Sequence, residues 1–162
     1  MLKRCFILLA VATMAATGCK KDENVTPTPT SPVITIPTDK IRLTVTVPTT
    51  TKDTDKLSIV GNFPNETWDP KKSAKYELKR TTASEYTIDL AILELPKFGD
   101  LEYKVAKNVT ATDNADGYKY VEKAADCKEL SGNRVITAPV SAGGKEYKIA
   151  VANFRNTGTC GD

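Results

Sequence analysis

The feature that most limits how this chain can fold is an alternation of apolar and polar residues with a period of two. Four segments show it most clearly, and in each of them every second side chain is apolar. Successive side chains of a strand point to opposite faces, so this pattern predicts strands with one buried and one exposed face. The apolar positions are Leu43, Val45 and Val47; Tyr86, Ile88, Leu90 and Ile92; Leu101, Tyr103 and Val105; and Tyr147, Ile149 and Val151.

Four further short segments have the composition of strands, and no segment of convincing length has a helical period. They cover residues 57–60, 75–79, 118–122 and 134–140, and Gly143-Gly144 after the last of them is typical of a hairpin turn. Seven or eight short strands separated by polar turns favour an all-β fold, an immunoglobulin-like antiparallel β-sandwich. If Tyr103 and Val105 face its core, Lys104 between them must face outward.

The first residues have the layout of a secretory signal. Lys3 and Arg4 precede a short apolar run, which ends in Ala16-Thr17-Gly18-Cys19. Small residues directly before a Cys resemble the cleavage box of bacterial lipoproteins. The resemblance implies a signal peptide over residues 1–18 and a lipid on Cys19 that anchors the chain in the membrane. The alternative is an ordinary signal peptide followed by an unmodified Cys.

A charged stretch and a proline-rich stretch follow Cys19. Lys20-Lys21-Asp22-Glu23 resembles the surface-export signal of Bacteroidetes lipoproteins, which implies display on the outer face of the outer membrane. The alternative is a solvated charge cluster. Proline then recurs at positions 27, 29, 32 and 37 and favours an extended chain. We therefore expect a tether over residues 19–39 and one domain over residues 40–162.

Charge and residue types exclude several classes of function. Loss of Lys3 and Arg4 with the signal lowers the formal net charge from +3 to +1, which argues against nucleic acid as a partner. The chain has no histidine, the commonest general base in enzymes. Asp113 and Asp116 lie in a turn-like sequence and are poor candidates for acid–base catalysis. We therefore expect neither enzymatic activity nor a cofactor.

The cysteines divide into two groups. Cys5 leaves with the signal and Cys19 is the predicted lipidation site, so Cys127 and Cys160 remain as a pair. In an exported protein the simplest interpretation is a disulfide bond between them. Two cysteines without histidine are too few ligands for a metal site.

The only tryptophan, Trp68, lies in a polar loop that follows the apolar segment 57–60. Gly61, Asn62 and Pro64 in this loop supply the backbone angles of turns. A Trp in such a loop either folds back over the core or offers a flat platform to a ligand. The residues of the loop alone do not decide between these interpretations.

Several segments together resemble the family-20 starch-binding domains, which are β-sandwich carbohydrate-binding modules. The segments are Val45-Thr46-Val47-Pro48; Ile59-Val60-Gly61-Asn62-Phe63 with Trp68-Asp69-Pro70; Tyr86-Thr87-Ile88-Asp89-Leu90; Leu101-Glu102-Tyr103-Lys104-Val105; and Tyr118-Lys119-Tyr120-Val121-Glu122-Lys123 with Gly132-Asn133-Arg134. Their common order and spacing carry the resemblance, which covers roughly residues 41–140.

The resemblance implies a glucan site formed by Trp68, Lys104, Tyr118 and Asn133. In that family two aromatic side chains stack on glucose rings, and Lys and Asn hydrogen-bond the hydroxyl groups. This chain departs from the family in a longer loop before Trp68, and in having Tyr118 or Tyr120 as the second aromatic side chain in place of a Trp.

The implied function is non-catalytic binding of starch-like α-glucan polysaccharide or maltooligosaccharide by an outer-membrane lipoprotein. The alternative is a structural or protein-interaction lipoprotein of the same fold, a subunit of an outer-membrane uptake complex that does not bind sugar.

Overall fold

We describe the protein from a computed structural model that covers residues 35–112, 118–137 and 143–161. Several predicted features lie outside the described residues. They are the signal peptide, the lipidation site Cys19, the tether up to residue 34, and the pair Asp113 and Asp116. In the described ranges, no helix has the length and apolar character needed to cross a membrane.

The described residues form nine strands and two short 3-10 helices. The strands are β1 (Lys40–Thr46), β2 (Leu57–Gly61), β3 (Lys79–Arg80), β4 (Glu85–Ala91), β5 (Leu101–Lys107), β6 (Glu122–Lys123), β7 (Arg134–Ile136), β8 (Lys145–Ala150) and β9 (Asn153–Phe154), and the 3-10 helices are Pro70–Tyr76 and Ile92–Glu94.

Seven of these strands form two sheets. The four-stranded sheet has the order β3-β4-β1-β8 and the three-stranded sheet the order β2-β5-β7, while β6 and β9 form a separate ladder. All pairs are antiparallel except β1 with β8. The predicted antiparallel β-sandwich is therefore confirmed, with one parallel pair added and with nine strands in the described ranges instead of seven or eight.

The hydrophobic core lies between the two sheets and is built from the alternating apolar positions. Burying one such side chain fully stabilises the fold by about 1.5–3 kcal/mol. A shift of register by one residue would turn these side chains outward, so their burial determines the register of each strand pair. The core residues on the two sheets include Ile41, Leu43, Val45, Tyr86 and Leu90 on one side and Leu57, Ile59, Leu101, Tyr103, Val105 and Ile136 on the other.

Two of the predicted strands are largely absent. The segment 75–79 contains the end of the 3-10 helix Pro70–Tyr76 and only the start of β3. The carboxylate of Asp69 caps this helix by accepting a hydrogen bond from the N–H of Lys71 at 2.9 Å, and proline at the first position fits a helix start. The predicted strand over residues 118–122 reduces to β6, which begins at Glu122.

The hairpin predicted at Gly143-Gly144 is wrong. β7 pairs with β5 and β8 pairs with β1, so these consecutive strands lie in different sheets. The two glycines instead allow close approach to the start of β1. The N–H of Gly144 donates to the carbonyl oxygen of Lys40 at 2.8 Å, and a Cβ on Gly143 would overlap the carbonyl oxygen of Thr38.

A buried carboxylate takes the place of a strand partner on β5. β7 pairs with β5 only as far as Tyr103, and beyond that point Glu122 accepts a hydrogen bond from the N–H of Val105 at 2.8 Å. Glu122 is fully buried, and Arg134 lies 2.7 Å from its carboxylate, so the buried charge is compensated. Arg134 also donates to the carbonyl oxygen of Ala150 at 2.6 Å and so links the two sheets. Burial raises the pKa of the neighbouring Tyr103 to about 12.

Cys127 and Cys160 form the predicted disulfide bond. It joins the segment after β6 to the segment after β9, and these two strands pair with each other. The disulfide bond and the β6–β9 ladder therefore connect the same two parts of the chain.

Candidate functional site

Two of the predicted site residues lie along the outer face of the three-stranded sheet. Lys104 alternates with core residues of β5 and stands directly opposite Val60 of β2. Directly opposite residues point to the same face, which here is the face turned away from the core. Asn133 precedes β7, and its Nδ2 donates to the carboxylate of Glu102 at 2.8 Å. Glu102 lies two residues before Lys104, so the amide of Asn133 is held on the same face.

The other two predicted residues belong to a small apolar cluster on that face. Val60, Ala106, Tyr118 and Val121 form its buried part, and Trp68 packs against them while remaining partly exposed. Val60 and Ala106 belong to the two strands that carry the face, because β2 pairs with β5. The four predicted residues are therefore gathered on one side of the molecule.

The loop between β2 and Trp68 is anchored by Phe63. Phe63 is buried in the main core and stacks on Tyr76, with ring centroids 3.8 Å apart and planes 11° from parallel. The hydroxyl of Tyr76 donates to the carboxylate of Glu66 at 2.7 Å. Burial and this carboxylate raise the pKa of Tyr76 to about 12. Phe63 is thus the aromatic residue of this loop that packs into the main core, while Trp68 packs on the opposite face of the sheet.

The start of the loop is tied to β5 by Asn62. Its Oδ1 accepts a hydrogen bond from the N–H of Glu102 at 2.9 Å, and its Nδ2 donates to the carbonyl oxygen of Asp100 at 3.0 Å. The main chain of Asn62 also donates to the carbonyl oxygen of Glu102 at 3.1 Å. These three bonds fix where the loop leaves the sheet.

The main chain of Trp68 has an unusual conformation that two hydrogen bonds maintain. Its φ is 53°, in the left-handed region that bulky side chains rarely adopt. Its N–H donates to the carbonyl oxygen of Gly61 at 2.7 Å, and its carbonyl oxygen accepts from the hydroxyl of Tyr118 at 2.7 Å. Such strain costs on the order of 1–3 kcal/mol and persists only where the surroundings impose it. The fold therefore imposes the placement of this indole ring.

Tyr118 does not have the geometry of a stacking platform. Its side chain is 7% exposed, and its hydroxyl is bonded to Trp68. Tyr120, the other candidate, is partly buried, with the ammonium groups of Lys107 and Lys119 at 5.7 and 5.3 Å from its ring centroid. The face therefore offers the ring of Trp68 for stacking, and Tyr118 supports the loop that carries it.

This face combines one aromatic ring with three polar side chains. It presents an indole ring, the ammonium of Lys104, the amide of Asn133 and the carboxylate of Glu102. An indole ring can stack on a flat apolar surface, and ammonium, amide and carboxylate groups can hydrogen-bond hydroxyl groups. No group of three or more acidic or cysteine side chains is placed to hold a metal ion among the residues that the structure describes.

Comparisons of the sequence with known proteins found no relative. No protein-family model matches the chain, and no curated protein sequence matches it either.

Comparison of the structure found similar solved structures at low sequence identity. The family-20 carbohydrate-binding module of the maltotetraose-forming amylase from Pseudomonas saccharophila STB07 is 18% identical, with a TM-score of 0.43, and the match covers 68% of this chain and 99% of that one. The family-15 glucoamylase from Hypocrea jecorina is 16% identical with a TM-score of 0.42, and the match covers 74% of this chain and 18% of that enzyme. The glucoamylase of Hormoconis resinae is 16% identical with a TM-score of 0.44, and the match covers 70% of this chain and 18% of that enzyme.

Sequence reasoning missed two features of this face. It did not find the carboxylate of Glu102 that orients Asn133, because that contact joins residues on different segments. It also treated Tyr118 as a surface ring. A signal was present, because Tyr120 and Val121 are adjacent apolar residues that break the alternation expected of a strand.

Proposed function

We propose that this protein is a non-catalytic lipoprotein that binds starch-like α-glucan through the outer face of its three-stranded sheet. The observation that carries the proposal is the gathering of Trp68, Lys104 and Asn133 on one face, with Tyr118 directly beneath the tryptophan loop. These residues belong to the segments that resemble family-20 starch-binding domains.

Each group has a definite task in this proposal. The indole of Trp68 stacks on the C–H-lined face of a glucose ring. The ammonium of Lys104 and the amide of Asn133 donate hydrogen bonds to ring hydroxyls, and Glu102 fixes the orientation of that amide at 2.8 Å. A single platform on an open face gives few contacts, so the affinity for one short oligosaccharide is modest and multivalent polysaccharide is retained better.

The membrane location forms a separate part of the proposal. It rests on the resemblance of Ala16-Thr17-Gly18-Cys19 to a lipoprotein cleavage box and of the charged residues 20–23 to a surface-export signal. In this proposal the lipid on Cys19 anchors the chain in the outer membrane and the proline-rich tether holds the domain at the cell surface.

A second function is favoured by the burial of Tyr118. A face with one partly covered ring has less stacking surface than a face with two. The same fold would then serve as a structural or protein-interaction subunit of an outer-membrane uptake complex.

The test is retardation of the mature chain in native gels that contain amylopectin, with Cys19→Ser preventing lipidation. We expect retardation of this protein, no retardation of Trp68→Ala, and about three- to tenfold weaker retention of Lys104→Ala, since a hydrogen bond contributes about 0.5–1.5 kcal/mol. Lys148→Ala, on the other sheet, is the matched control. Equal migration with and without amylopectin, glycogen or maltoheptaose would reject glucan binding and leave the interaction subunit.

A further inference from the structure

A groove of about 480 Å³ lies on the four-stranded sheet, away from the candidate glucan face. One wall is β4 and another is the end of the 3-10 helix Pro70–Tyr76. The side chains that line it are mostly charged, and they come from β1, β3, β4 and the two 3-10 helices. A volume of this size accommodates a short ligand or a few residues of an extended peptide.

The groove lies where the edge of the sheet is open. β3 pairs with β4 only through Lys79 with Thr87 and Arg80 with Tyr86. Before β3 the chain leaves this sheet, because the N–H of Leu78 donates to the carbonyl oxygen of Leu57 in the three-stranded sheet at 2.8 Å. From Ile88 onward, β4 therefore has β1 on one side and, in the described part of the chain, no strand on the other.

Hydrogen bonds at the two ends of the β1–β4 ladder show which main-chain groups face this edge. The N–H of Val47 donates to the carbonyl oxygen of Ser84, and the N–H of Ile92 donates to that of Asp39, both at 2.9 Å. In an antiparallel ladder, residues alternate between bonding to one neighbour and to the other. Even-numbered residues of β4 thus bond to β1, and odd-numbered residues face away from it.

At this open edge, Asp89 consequently presents both its main-chain N–H and its carbonyl group, and Ala91 presents its N–H. Thr87, also odd-numbered, is matched by Lys79 of β3, whereas Asp89 and Ala91 lie past the end of β3. Among the described residues, no main-chain hydrogen bond from another segment reaches the N–H or carbonyl group of Asp89, or the N–H of Ala91. The carbonyl group of Ala91 belongs to the 3-10 helix Ile92–Glu94, which this residue caps. These groups form the kind of edge to which an extended peptide can add as a further strand.

Four basic and three acidic side chains line the groove, so its charge slightly favours an anionic ligand. Arg42 forms two hydrogen bonds with the carboxylate of Asp89, at 2.7 and 2.8 Å, and Lys75 lies 3.4 Å from Glu94. Lys40 and Lys79 also line the groove, and neither forms an ion pair with a residue that the structure describes. Two ammonium groups are therefore available to a carboxylate-bearing ligand.

The aromatic side chain of the groove does not favour a sugar. Tyr76 is 3% exposed, and Phe63 covers its ring at 3.8 Å, so no flat surface remains for stacking. A row of alternating main-chain donors and acceptors matches a peptide instead.

We propose that the open edge of β4 binds an extended, acidic segment of a partner protein as an added strand. Its main chain bonds to Asp89 and Ala91, and its carboxylates reach Lys40 and Lys79. This site is separate from the glucan face and does not depend on glucan binding.

The sharpest test uses Ala91→Pro. Ala91 has φ of −67°, which proline adopts without strain, and Leu90 before it is in a strand, as a residue before proline requires. The substitution thus removes one N–H from the edge, and we expect it to preserve the fold. The probe is a blocked seven-residue peptide of alternating glutamate and threonine, followed by amide chemical shifts of the ¹⁵N-labelled mature chain with Cys19→Ser.

We expect shifts centred on Asp89 and Ala91, at least tenfold weaker binding by Ala91→Pro, and about three- to tenfold weaker binding by Lys40→Glu or Lys79→Glu. Lys148→Glu, at the other edge of the same sheet, carries the same charge change as a control. A well-dispersed spectrum of each variant confirms its fold, and the lysine variants keep the test decisive if Ala91→Pro unfolds.

Three outcomes would overturn the proposal. The first is the absence of shifts with the acidic peptide. The second is equal binding of a peptide with lysine in place of glutamate. The third is unchanged binding by Ala91→Pro together with matching shifts from glucuronate, which would make the groove a site for small anions.

Discussion

The hydroxyl of Tyr118 donates a 2.7 Å hydrogen bond to the main-chain carbonyl oxygen of Trp68, which has a left-handed φ of 53°. One buried tyrosine thereby holds the strained residue whose indole ring is the flat surface of the candidate site. Removal of this single hydrogen bond should change the tryptophan loop without emptying the apolar cluster below it.

Tyr118→Phe should loosen the loop that carries Trp68. The ring stays in its cluster, so the expected loss of stability is about 0.5–1.5 kcal/mol. Trp68 is the only tryptophan, so its fluorescence reports on this loop alone. We expect easier quenching by acrylamide and lower anisotropy than in the unsubstituted protein. Unchanged quenching would show that the hydroxyl does not hold the loop.

Tyr86→Phe is the matched control and a prediction in its own right. The hydroxyl of Tyr86 is buried and has no hydrogen-bond partner among the described residues. Its removal eliminates the cost of burying an unsatisfied polar group, so stability should stay the same or rise by up to about 1 kcal/mol. Urea unfolding followed by circular dichroism measures this, and a clear destabilisation would reveal a partner for the hydroxyl.

Gly61→Ala should destabilise the fold where β2 meets β5. An added Cβ would overlap the carbonyl oxygen of Glu102 and come within 3.0 Å of the Cβ of Tyr103. The two strands must separate locally, which we expect to cost about 1–3 kcal/mol in urea unfolding. Gly132→Ala is the control, because nothing lies within 4 Å of its added Cβ. Equal stabilities of the two variants would contradict the close approach.

Asp55 should make the fold sensitive to acid. Burial alone would raise the pKa of Asp55, but hydrogen bonds from Asn108 and Lys107, at 2.8 and 3.0 Å, outweigh it and lower that pKa. A carboxyl group with a lower pKa in the folded state stabilises the fold above its unfolded pKa of about 4, and this contribution disappears as the pH falls through the folded pKa. Asp55→Asn should thus be less stable at pH 7, with a difference from the unsubstituted protein that shrinks toward pH 2. Urea unfolding across this range tests it, and a difference independent of pH would contradict it.

Loss of the disulfide bond should destabilise the domain without removing the sandwich core. The bond joins residues 33 positions apart, and closing a loop of this length corresponds to about 3–4 kcal/mol in the chain-entropy model. Cys127→Ser with Cys160→Ser should lower the free energy of unfolding by about that amount while keeping the strand signature in circular dichroism. An unfolding curve that matches the oxidised protein would refute this.

Much of the architecture could be predicted from local pattern. The alternation in β1, β4, β5 and β8 is a property of each segment alone, since the pleat turns every second side chain to one face. Lys104 was placed outward by that rule, and it lies opposite Val60 on the outer face. The pairing of Cys127 with Cys160 followed from counting the cysteines left after the signal.

What only the tertiary structure decided is which side chains other segments cover. Phe63, not Trp68, fills the core because it meets Tyr76 of the following helix, and Tyr118 is buried because the tryptophan loop closes over it. The open edge of β4 exists because the chain before β3 bonds to the other sheet. Each of these facts depends on contacts between residues that are distant in the chain, whereas periodicity records only how a residue's immediate neighbours are oriented.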